Sequence, residues 1–117
     1  MPRVVFIAHP MSGDIEGNMQ KVVAICRAIH SIETVPVFPS ALTRRYLDAH
    51  PASQDRQLAA VNIEQYFARG FVDELWLYGE EVTAGMWHEV GLARRHNIRV
   101  VGMSPETRAA LKQGEAK

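Results

Sequence analysis

Two short stretches of this sequence carry residue types whose spacing suits chemistry on a small ligand. The first is the loop at residues 9–14, which follows an apolar strand pattern and precedes a helical one. Free backbone amides at the start of a helix can bind an anion by donating hydrogen bonds to it. Ser12 adds a hydroxyl, and Gly13 permits close approach of a ligand. His9 and Met11 complete this candidate binding loop. An ordinary turn before a capped helix is the alternative, because the loop lacks the dinucleotide fingerprint and the P-loop lysine.

The second stretch opens the helix that follows the third predicted strand, and Thr83 is expected to cap that helix. Residues three and four apart are neighbours on a helix, so one side of it carries Gly85, Met86, Glu89 and Ala93. Glu89 is therefore expected to point toward the sheet. A carboxylate in that position with an altered proton affinity can act as a nucleophile or base. A structural salt bridge to a basic group is the alternative.

The elements that must position these residues are strands alternating with helices. Apolar runs predict strands at residues 4–8, 34–38, 73–79 and 98–103. Pro36 removes a ladder donor and places the second strand at an edge. Such alternation predicts an α/β fold with a parallel sheet of order 2-1-3-4. Its switch point lies between strands one and three, where open α/β sheets bind their ligands.

The helices are expected to begin and end at recognisable residues. Asp14 or Ser12 can cap the first helix, which is expected to run from Ile15 to about Ser31. Ser53 can cap the helix before the third strand, and Gly70 ends it. The apolar face of that helix is expected to use Leu58, Val61, Tyr66 and Phe67.

Two segments are harder to read from the sequence. Residues 40–52 permit a short helix, but they carry enough proline and serine to be a mobile connection. Ser104-Pro-Glu predicts a last helix of about two turns. We therefore expect a single domain over residues 1–112, followed by a frayed tail at 113–117.

Composition narrows the class of protein. A chain of 117 residues can bury one core but not two, and its thirteen basic and thirteen acidic residues balance. No global field then favours nucleic acid or an anionic membrane. Cys26 has no disulfide partner and no metal-ligand spacing, and the sequence contains no signal-peptide or membrane-span pattern. We expect a cytoplasmic protein without a bound metal or cofactor.

The predicted helix that carries Glu89 resembles a known protein family. The pattern G-x-x-x-E-x-G-x-A at residues 85–93, whose glutamate lies sixteen residues after Asp73, resembles the nucleoside 2-deoxyribosyltransferase superfamily. That superfamily includes the deoxynucleoside 5′-monophosphate N-glycosidases. Residues 6–13 look like its first strand and glycine-bearing loop. The resemblance spans roughly residues 3–103 and extends to a small, largely uncharacterised subfamily.

The resemblance implies a flavodoxin-like (Rossmann-like) three-layer fold and a glutamate nucleophile. Glu89 would attack the anomeric carbon of a ribosyl or deoxyribosyl group as the base departs, and water or a second base would complete the reaction. A positioned carboxylate stabilises such a cation-like transition state and can trap it covalently. Thr83, six residues before the glutamate, would help to hold a 5′-phosphate opposite the Ser12 and Gly13 amides. No metal is needed.

The sequence departs from the superfamily pattern in several places. Phe6 stands where a tyrosine is usual, and His9 where a small residue is common. Glu64 can replace a missing aspartate that helps to protonate the base, or it can be a solvated helix charge, and Asp73 is a second uncertain helper. Asn18 can reach the crevice mouth, although helix packing or solvent is the alternative.

Further side chains are weaker candidates. Arg44 and Arg45 lie in the segment that can fold over the crevice and clamp a phosphate, although basic pairs on loops are usually just solvated. His88 lies about 100° round the helix from Glu89, so it is expected to face solvent or a subunit. Trp87 and Tyr46 can stack on a base, but surface or interface packing is favoured.

Two functional hypotheses follow. In the first, the protein cleaves or transfers the N-glycosidic bond of a nucleoside or nucleoside 5′-monophosphate. In the second, it is a non-catalytic nucleotide-binding or sensor module of the same fold, since fold does not fix activity. The expected partner is a small-molecule nucleoside or nucleotide, with no nucleic acid or membrane, and a homo-oligomer is expected because superfamily sites are often completed by a neighbouring subunit.

Overall fold

The computed structural model describes residues 1–48, 50 and 52–116 as one layered α/β unit. Its strands are β1 (Arg3–Ala8), β2 (Thr34–Val37), β3 (Glu74–Leu77) and β4 (Arg99–Gly102). Its helices are α1 (Ile15–Ile29), α2 (Ser40–Thr43), α3 (Asp55–Ala68), α4 (Ala84–Arg95) and α5 (Pro105–Ala116). The strands form a parallel sheet of order β2-β1-β3-β4. The predicted α/β class and strand order are confirmed, and the layers are those of a flavodoxin-like sandwich.

Strand β1 lies inside the sheet because its side chains are apolar on both faces. Val5 and Ile7 point to one face and Phe6 and Ala8 to the other, and all four are at most 1% exposed. A strand covered on both faces has this continuous apolar pattern. Pro36 lies on β2 at the edge of the sheet, as predicted.

Two apolar clusters cover the two faces of the sheet. On one face, α1 contributes residues such as Val22 to a cluster with Val5, Ile7, Met11 and Trp76. On the other face, α3 and α4 pack against β1 and β3, and the fully buried members include Phe6, Phe67, Leu75, Leu77, Met86, Val90 and Ala93. The sheet is thus the middle of three layers, which fixes the loops that follow its strands.

Helix α1 begins where the sequence predicts. Of the two candidate caps, Asp14 is the one used, because its carboxylate accepts a hydrogen bond of 2.9 Å from the Gly17 amide. The helix ends at Ile29, two residues before the predicted end at Ser31. The Asp14 carboxylate therefore occupies the amino end of the helix.

The predicted apolar face of α3 is partly wrong. Leu58 and Val61 are each 55% exposed, whereas Phe67 is buried. Ile63 packs with Phe67 instead, because residues four apart share one side of a helix. The Ser53 hydroxyl accepts from the Asp55 amide at 3.1 Å, although the helix cap itself is Gln54 without a side-chain bond.

The ends of the remaining elements agree less closely with the sequence. Helix α2 is the short helix that residues 40–52 permit, and Gly70, with φ of +70°, ends α3 as predicted. Helix α5 continues to Ala116, so the tail predicted to fray from residue 113 is helical, and residue 117 lies outside the described residues. Gly114 lies against the Trp87 ring, where a β-carbon would stand 2.7 Å from a ring carbon.

Among the described helices, none is both long and apolar enough to cross a membrane.

Candidate functional site

A cavity of about 500 Å³ opens at the carboxyl ends of β1 and β3. Its walls are the loop after β1, the residues after β2, one side of α3 and the first turns of α4. This is the predicted switch point of the sheet, and the volume lies in the range of small-molecule sites. Seven of the predicted site residues line it: His9, Met11, Ser12, Thr83, Gly85, Met86 and Glu89.

The two predicted helpers of Glu89 lie outside this cavity. Glu64 is exposed on α3 and is absent from the cavity wall, which fits the solvated-charge alternative. Asp73 precedes β3 at the opposite, amino edge of the sheet, where its carboxylate accepts a hydrogen bond of 2.7 Å from the Val4 amide. A residue that opens a parallel strand lies at the far edge from the ligand crevice, so the structure does not bring Asp73 to Glu89.

Three predicted binding residues also lie behind or beside the cavity wall. Phe6 is a core residue, 1% exposed, with its ring centroid 4.9 Å from that of Phe67. Asn18 donates a hydrogen bond of 3.1 Å to the Ser12 carbonyl and so supports the loop. Gly13 is exposed and does not line the cavity.

Glu89 is the ionisable residue of the cavity wall whose pKa is strongly shifted. It lies on α4 beside the buried Met86 and Val90, and it is the only acidic residue that lines the cavity within the described chain. Its side chain is partly accessible through the open cavity, yet burial raises its pKa to about 8. The positive charge of Arg44 opposes this shift. At neutral pH Glu89 is therefore mostly in its protonated form.

The loops after β1 and β3 approach each other closely at the crevice. His9 is 8% exposed, and its Nδ1 donates to the Pro10 carbonyl at 2.7 Å because a carbonyl can only accept. Gly79 has φ of +103°, and a β-carbon there would stand 2.6 Å from Pro10 Cδ. The Ser104 hydroxyl donates to the Gly79 carbonyl at 2.7 Å and fixes the loop from below.

The amino end of α4 faces the cavity. Thr83 is its cap, as predicted, and the Thr83 hydroxyl accepts from the Met86 amide at 3.3 Å. Ala84 and Gly85 line the cavity just beyond this cap. This helix end thus combines a positive dipole with small residues at the wall.

Several residues line the cavity although the sequence did not predict that they would. His88 was expected to face solvent or a subunit, and it is exposed but also lines the cavity mouth. Arg56 was missed, although it lies three residues before Ala59 and seven before Ile63, which is one side of a helix. All three line the cavity, together with Ala60, Phe38 and Ser40.

Other candidates lie elsewhere. Arg44 lines the cavity, whereas the neighbouring Arg45 and Tyr46 are exposed and do not. Trp87 packs against α5 rather than lining the cavity. Across the described residues, no group of three or more His, Cys, Asp or Glu side chains is arranged to hold a metal ion.

Together, the fold and the crevice define a flavodoxin-like α/β protein with a ligand-sized cavity at its switch point. Residues 3–113 match the family described as "Domain of unknown function (DUF7768)", and the chain belongs to this family. The crystal structure of a conserved protein from Enterococcus faecalis V583 is similar, with a TM-score of 0.66 at 17% sequence identity. The similarity covers 87% of this chain but only 63% of that chain, and it supports the fold alone. No curated protein matches this sequence.

Proposed function

We propose that the protein cleaves or transfers the N-glycosidic bond of a nucleoside or nucleoside 5′-monophosphate, with Glu89 as the nucleophile. The observation that carries this proposal is the position of Glu89 as the only acidic group on the described cavity wall, next to buried apolar side chains. A carboxylate there has no structural partner among the described residues, since no salt bridge or hydrogen bond of its side chain is present. The glutamate motif at residues 85–93 supports the same chemistry.

The reaction would proceed in two displacements. An oxygen of ionised Glu89 forms a bond to the anomeric carbon while the bond from that carbon to the base nitrogen breaks, and its electron pair leaves with the base. Water or a second base then attacks the same carbon and releases the carboxylate. Because burial raises the pKa of Glu89 to about 8, the reactive ionised form becomes dominant only above that pH.

The departing base also needs a proton. Glu64 is exposed outside the cavity and Asp73 lies at the opposite edge of the sheet, so we assign neither to this step. His9 and His88 line the cavity and are able to carry a proton. His9 Nδ1 is bonded to the Pro10 carbonyl, which leaves its Nε2 for a ligand. Positioned proton transfer typically contributes about 10²–10⁴-fold to such a step.

One observation favours the second candidate, a nucleotide-binding module without turnover. Of the described residues that line the cavity, Glu89 alone carries a carboxyl group; it is mostly protonated at neutral pH, and neither predicted carboxylate helper reaches it. A protonated glutamate donates a hydrogen bond instead of attacking carbon. Binding without turnover would then be the activity of this site.

The test is release of free base from a panel of ribo- and deoxynucleosides and their 5′-monophosphates. We expect release by the wild-type protein and by Glu80→Gln, whose side chain is exposed outside the cavity. Glu89→Gln keeps the shape of the side chain but cannot attack carbon, so its release should fall by roughly a thousandfold or more. Assays run at pH 7 and pH 9, because the ionised form of Glu89 is favoured at the higher value.

The outcomes separate the two candidates. Base release that is lost only in Glu89→Gln supports the glycosidic reaction. Equal release by wild type and Glu89→Gln would assign turnover to another group or a contaminant. No release from any substrate at either pH, with nucleotide binding retained, leaves the binding module.

A further inference from the structure

Two arginines lie on the wall of the cavity that α2 and α3 form. Arg44 directly follows α2, and Arg56 is the second residue of α3. Both line the main cavity, and both also line an adjoining pocket of about 210 Å³. Both arginines therefore border the main cavity and the smaller pocket.

Neither arginine is neutralised by an acidic partner in the described chain. The salt bridge present there joins Arg3 to Glu74 at the amino edge of the sheet. Arg44 acts on Glu89 electrostatically, but no ion pair within 4.0 Å joins them. Because burial raises the pKa of Glu89 to about 8, this carboxyl leaves the positive charge of Arg44 uncompensated near neutral pH.

The acidic residues that share the smaller pocket with the arginines do not line the main cavity. Asp48 and Asp55 line the smaller pocket but not the main cavity. The Asp55 carboxylate accepts from the Asp48 amide at 2.7 Å, and the Asp48 carboxylate accepts from the His50 amide at 2.9 Å. In the part of the chain that the structure describes, the titratable or charged groups that line the main cavity are Arg44, Arg56, His9, His88 and Glu89. This set favours an anionic ligand.

The loop after β1 is a poorer place for an anion. Asp14 places its own carboxylate at the amino end of α1, where it already accepts from the Gly17 amide. A second negative charge at that helix end would be repelled. Gly13 does not line the cavity, and the Thr83 hydroxyl, which accepts from the Met86 amide, has a single O–H to donate to a phosphate.

We propose that Arg44 and Arg56 form a subsite for a phosphate monoester group, distinct from the Ser12, Gly13 and Thr83 groups that the family resemblance implies. Guanidinium groups present paired donors that match phosphate oxygens. The phosphate would lie on the main-cavity side of the two arginines, away from the Asp48 and Asp55 carboxylates of the smaller pocket, and the rest of the ligand would extend along the main cavity toward Glu89. Only the identity of the rest of the ligand, a nucleoside, rests on the proposed function.

The experiment measures binding of matched pairs of ligands to the full chain by calorimetry. Each pair is a nucleoside and its 5′-monophosphate, and inorganic phosphate is titrated separately. The variants are Arg44→Gln and Arg56→Gln, with Arg45→Gln as a matched control because Arg45 is exposed beside the site but lines neither space. Unfolding midpoints of all variants establish that each is folded.

We expect at least one 5′-monophosphate to bind about tenfold or more tightly than its nucleoside, since hydrogen bonds to charged groups are the stronger kind. That advantage should fall by about tenfold in Arg44→Gln and in Arg56→Gln, with nucleoside affinity unchanged. Arg45→Gln should behave as wild type. Rising salt should weaken binding of the monophosphate but not of the nucleoside.

Two results would overturn the subsite. One is equal affinity for nucleosides and monophosphates throughout the panel. The other is a monophosphate advantage that survives in both arginine variants, which would move the phosphate to the amino end of α4. Failure of the glycosidic reaction looks different, because phosphate-dependent binding would persist through Arg44 and Arg56 while no base is released by any protein.

Discussion

The amino ends of the strands form one edge of the sheet and the carboxyl ends form the other. Several charged residues are paired at the amino edge, whereas those of the cavity at the carboxyl edge form no ion pair among the described residues. At the amino edge, Arg3 lies 3.7 Å from the Glu74 carboxylate and stacks 5.0 Å above the Trp76 ring. The Trp76 nitrogen donates to Glu74 at 2.9 Å, and the Asp73 carboxylate accepts from the Val4 amide. Each of these polar groups has a partner within the described chain.

At the carboxyl edge, Glu89, Arg44 and Arg56 line a cavity without an ion pair among the described residues. Burial raises the pKa of Glu89 to about 8, so the fold maintains a carboxyl group in an unfavourable setting. Perturbed titratable groups in a cleft mark functional sites more often than structural ones. Both edges carry ionisable side chains. They differ in whether those side chains, within the described chain, have a partner of opposite charge.

The largest expected effect tests whether the carboxyl edge is rigidly built despite its open cavity. Gly79→Ala forces a β-carbon to 2.6 Å from Pro10 Cδ at φ of +103°, and we expect a loss of about 3 kcal/mol in the free energy of unfolding. Gly13→Ala is the matched control, because Gly13 has φ of +86° but nothing within 4 Å of the new atom. Its loss should be about 1 kcal/mol. Urea unfolding measures both, and equal losses would mean that the two loops are not tightly packed.

The second prediction concerns the pH dependence of catalysis under the proposed function. If ionised Glu89 is the nucleophile, kcat/KM should rise with pH, by up to about tenfold per pH unit, as pH increases from 5 toward 8. Glu74→Gln, at the amino edge, should leave this profile unchanged. An activity that is constant from pH 5 to pH 9 would contradict a nucleophile with a raised pKa.

The third prediction concerns stability and carries a definite sign. The pKa of Glu89 is raised from 4.5 to about 8 in the folded protein, so between these values the folded state binds more protons than the unfolded state. Stability contributed by this group is therefore lost as pH rises from about 4.5 to 8. Because each pKa unit is worth about 1.4 kcal/mol and Glu89 is partly accessible, Glu89→Gln should gain about 1–2 kcal/mol over wild type between pH 5 and pH 9.

Urea unfolding of wild type and Glu89→Gln at pH 5, 7 and 9 measures this difference. Glu74→Gln is the control at the other edge of the sheet. A stability difference that shrinks as pH rises would have the wrong sign for a buried carboxyl group.

The smallest expected effect lies at the amino edge. Asp73→Ala removes the acceptor of the Val4 amide, and we expect a loss of about 1 kcal/mol in unfolding free energy with unchanged base release. Glu64→Ala, on an exposed side of α3, should change stability by less than about 0.5 kcal/mol. Lost activity in Asp73→Ala, at unchanged stability, would return Asp73 to the catalytic group and weaken the contrast between the edges.

The sequence carried enough information to predict the sheet and its switch point. The apolar run at residues 4–8 identifies an inner strand, and helical spacing places Glu89 on the side of α4 that faces the sheet and cavity. It also held an unused signal, because Asp73 opens its strand and so belongs at the edge away from the ligand. Strand direction alone would have excluded Asp73 from the site.

Other parts of the site depend on packing that spacing cannot supply. Arg56 and Ile63 become wall residues only once α3 has a fixed rotation against the sheet, and α3 carries apolar residues on several sides. The end of α5 likewise makes a tertiary contact, since Gly114 lies against the Trp87 ring. Both features are tertiary, so local propensity and periodicity leave them open.

The position of β1 between β2 and β3 has a consequence for synthesis on the ribosome. Its first neighbour in the sheet, β2, emerges about thirty residues later, but its other neighbour is β3 at Glu74–Leu77. Until β3 emerges, the backbone groups on one side of β1 have no strand to pair with. An unpaired strand with apolar side chains can pair with other chains. A nascent chain stalled before residue 74 should therefore be a client of chaperones, and it should become resistant to aggregation as soon as β3 is released.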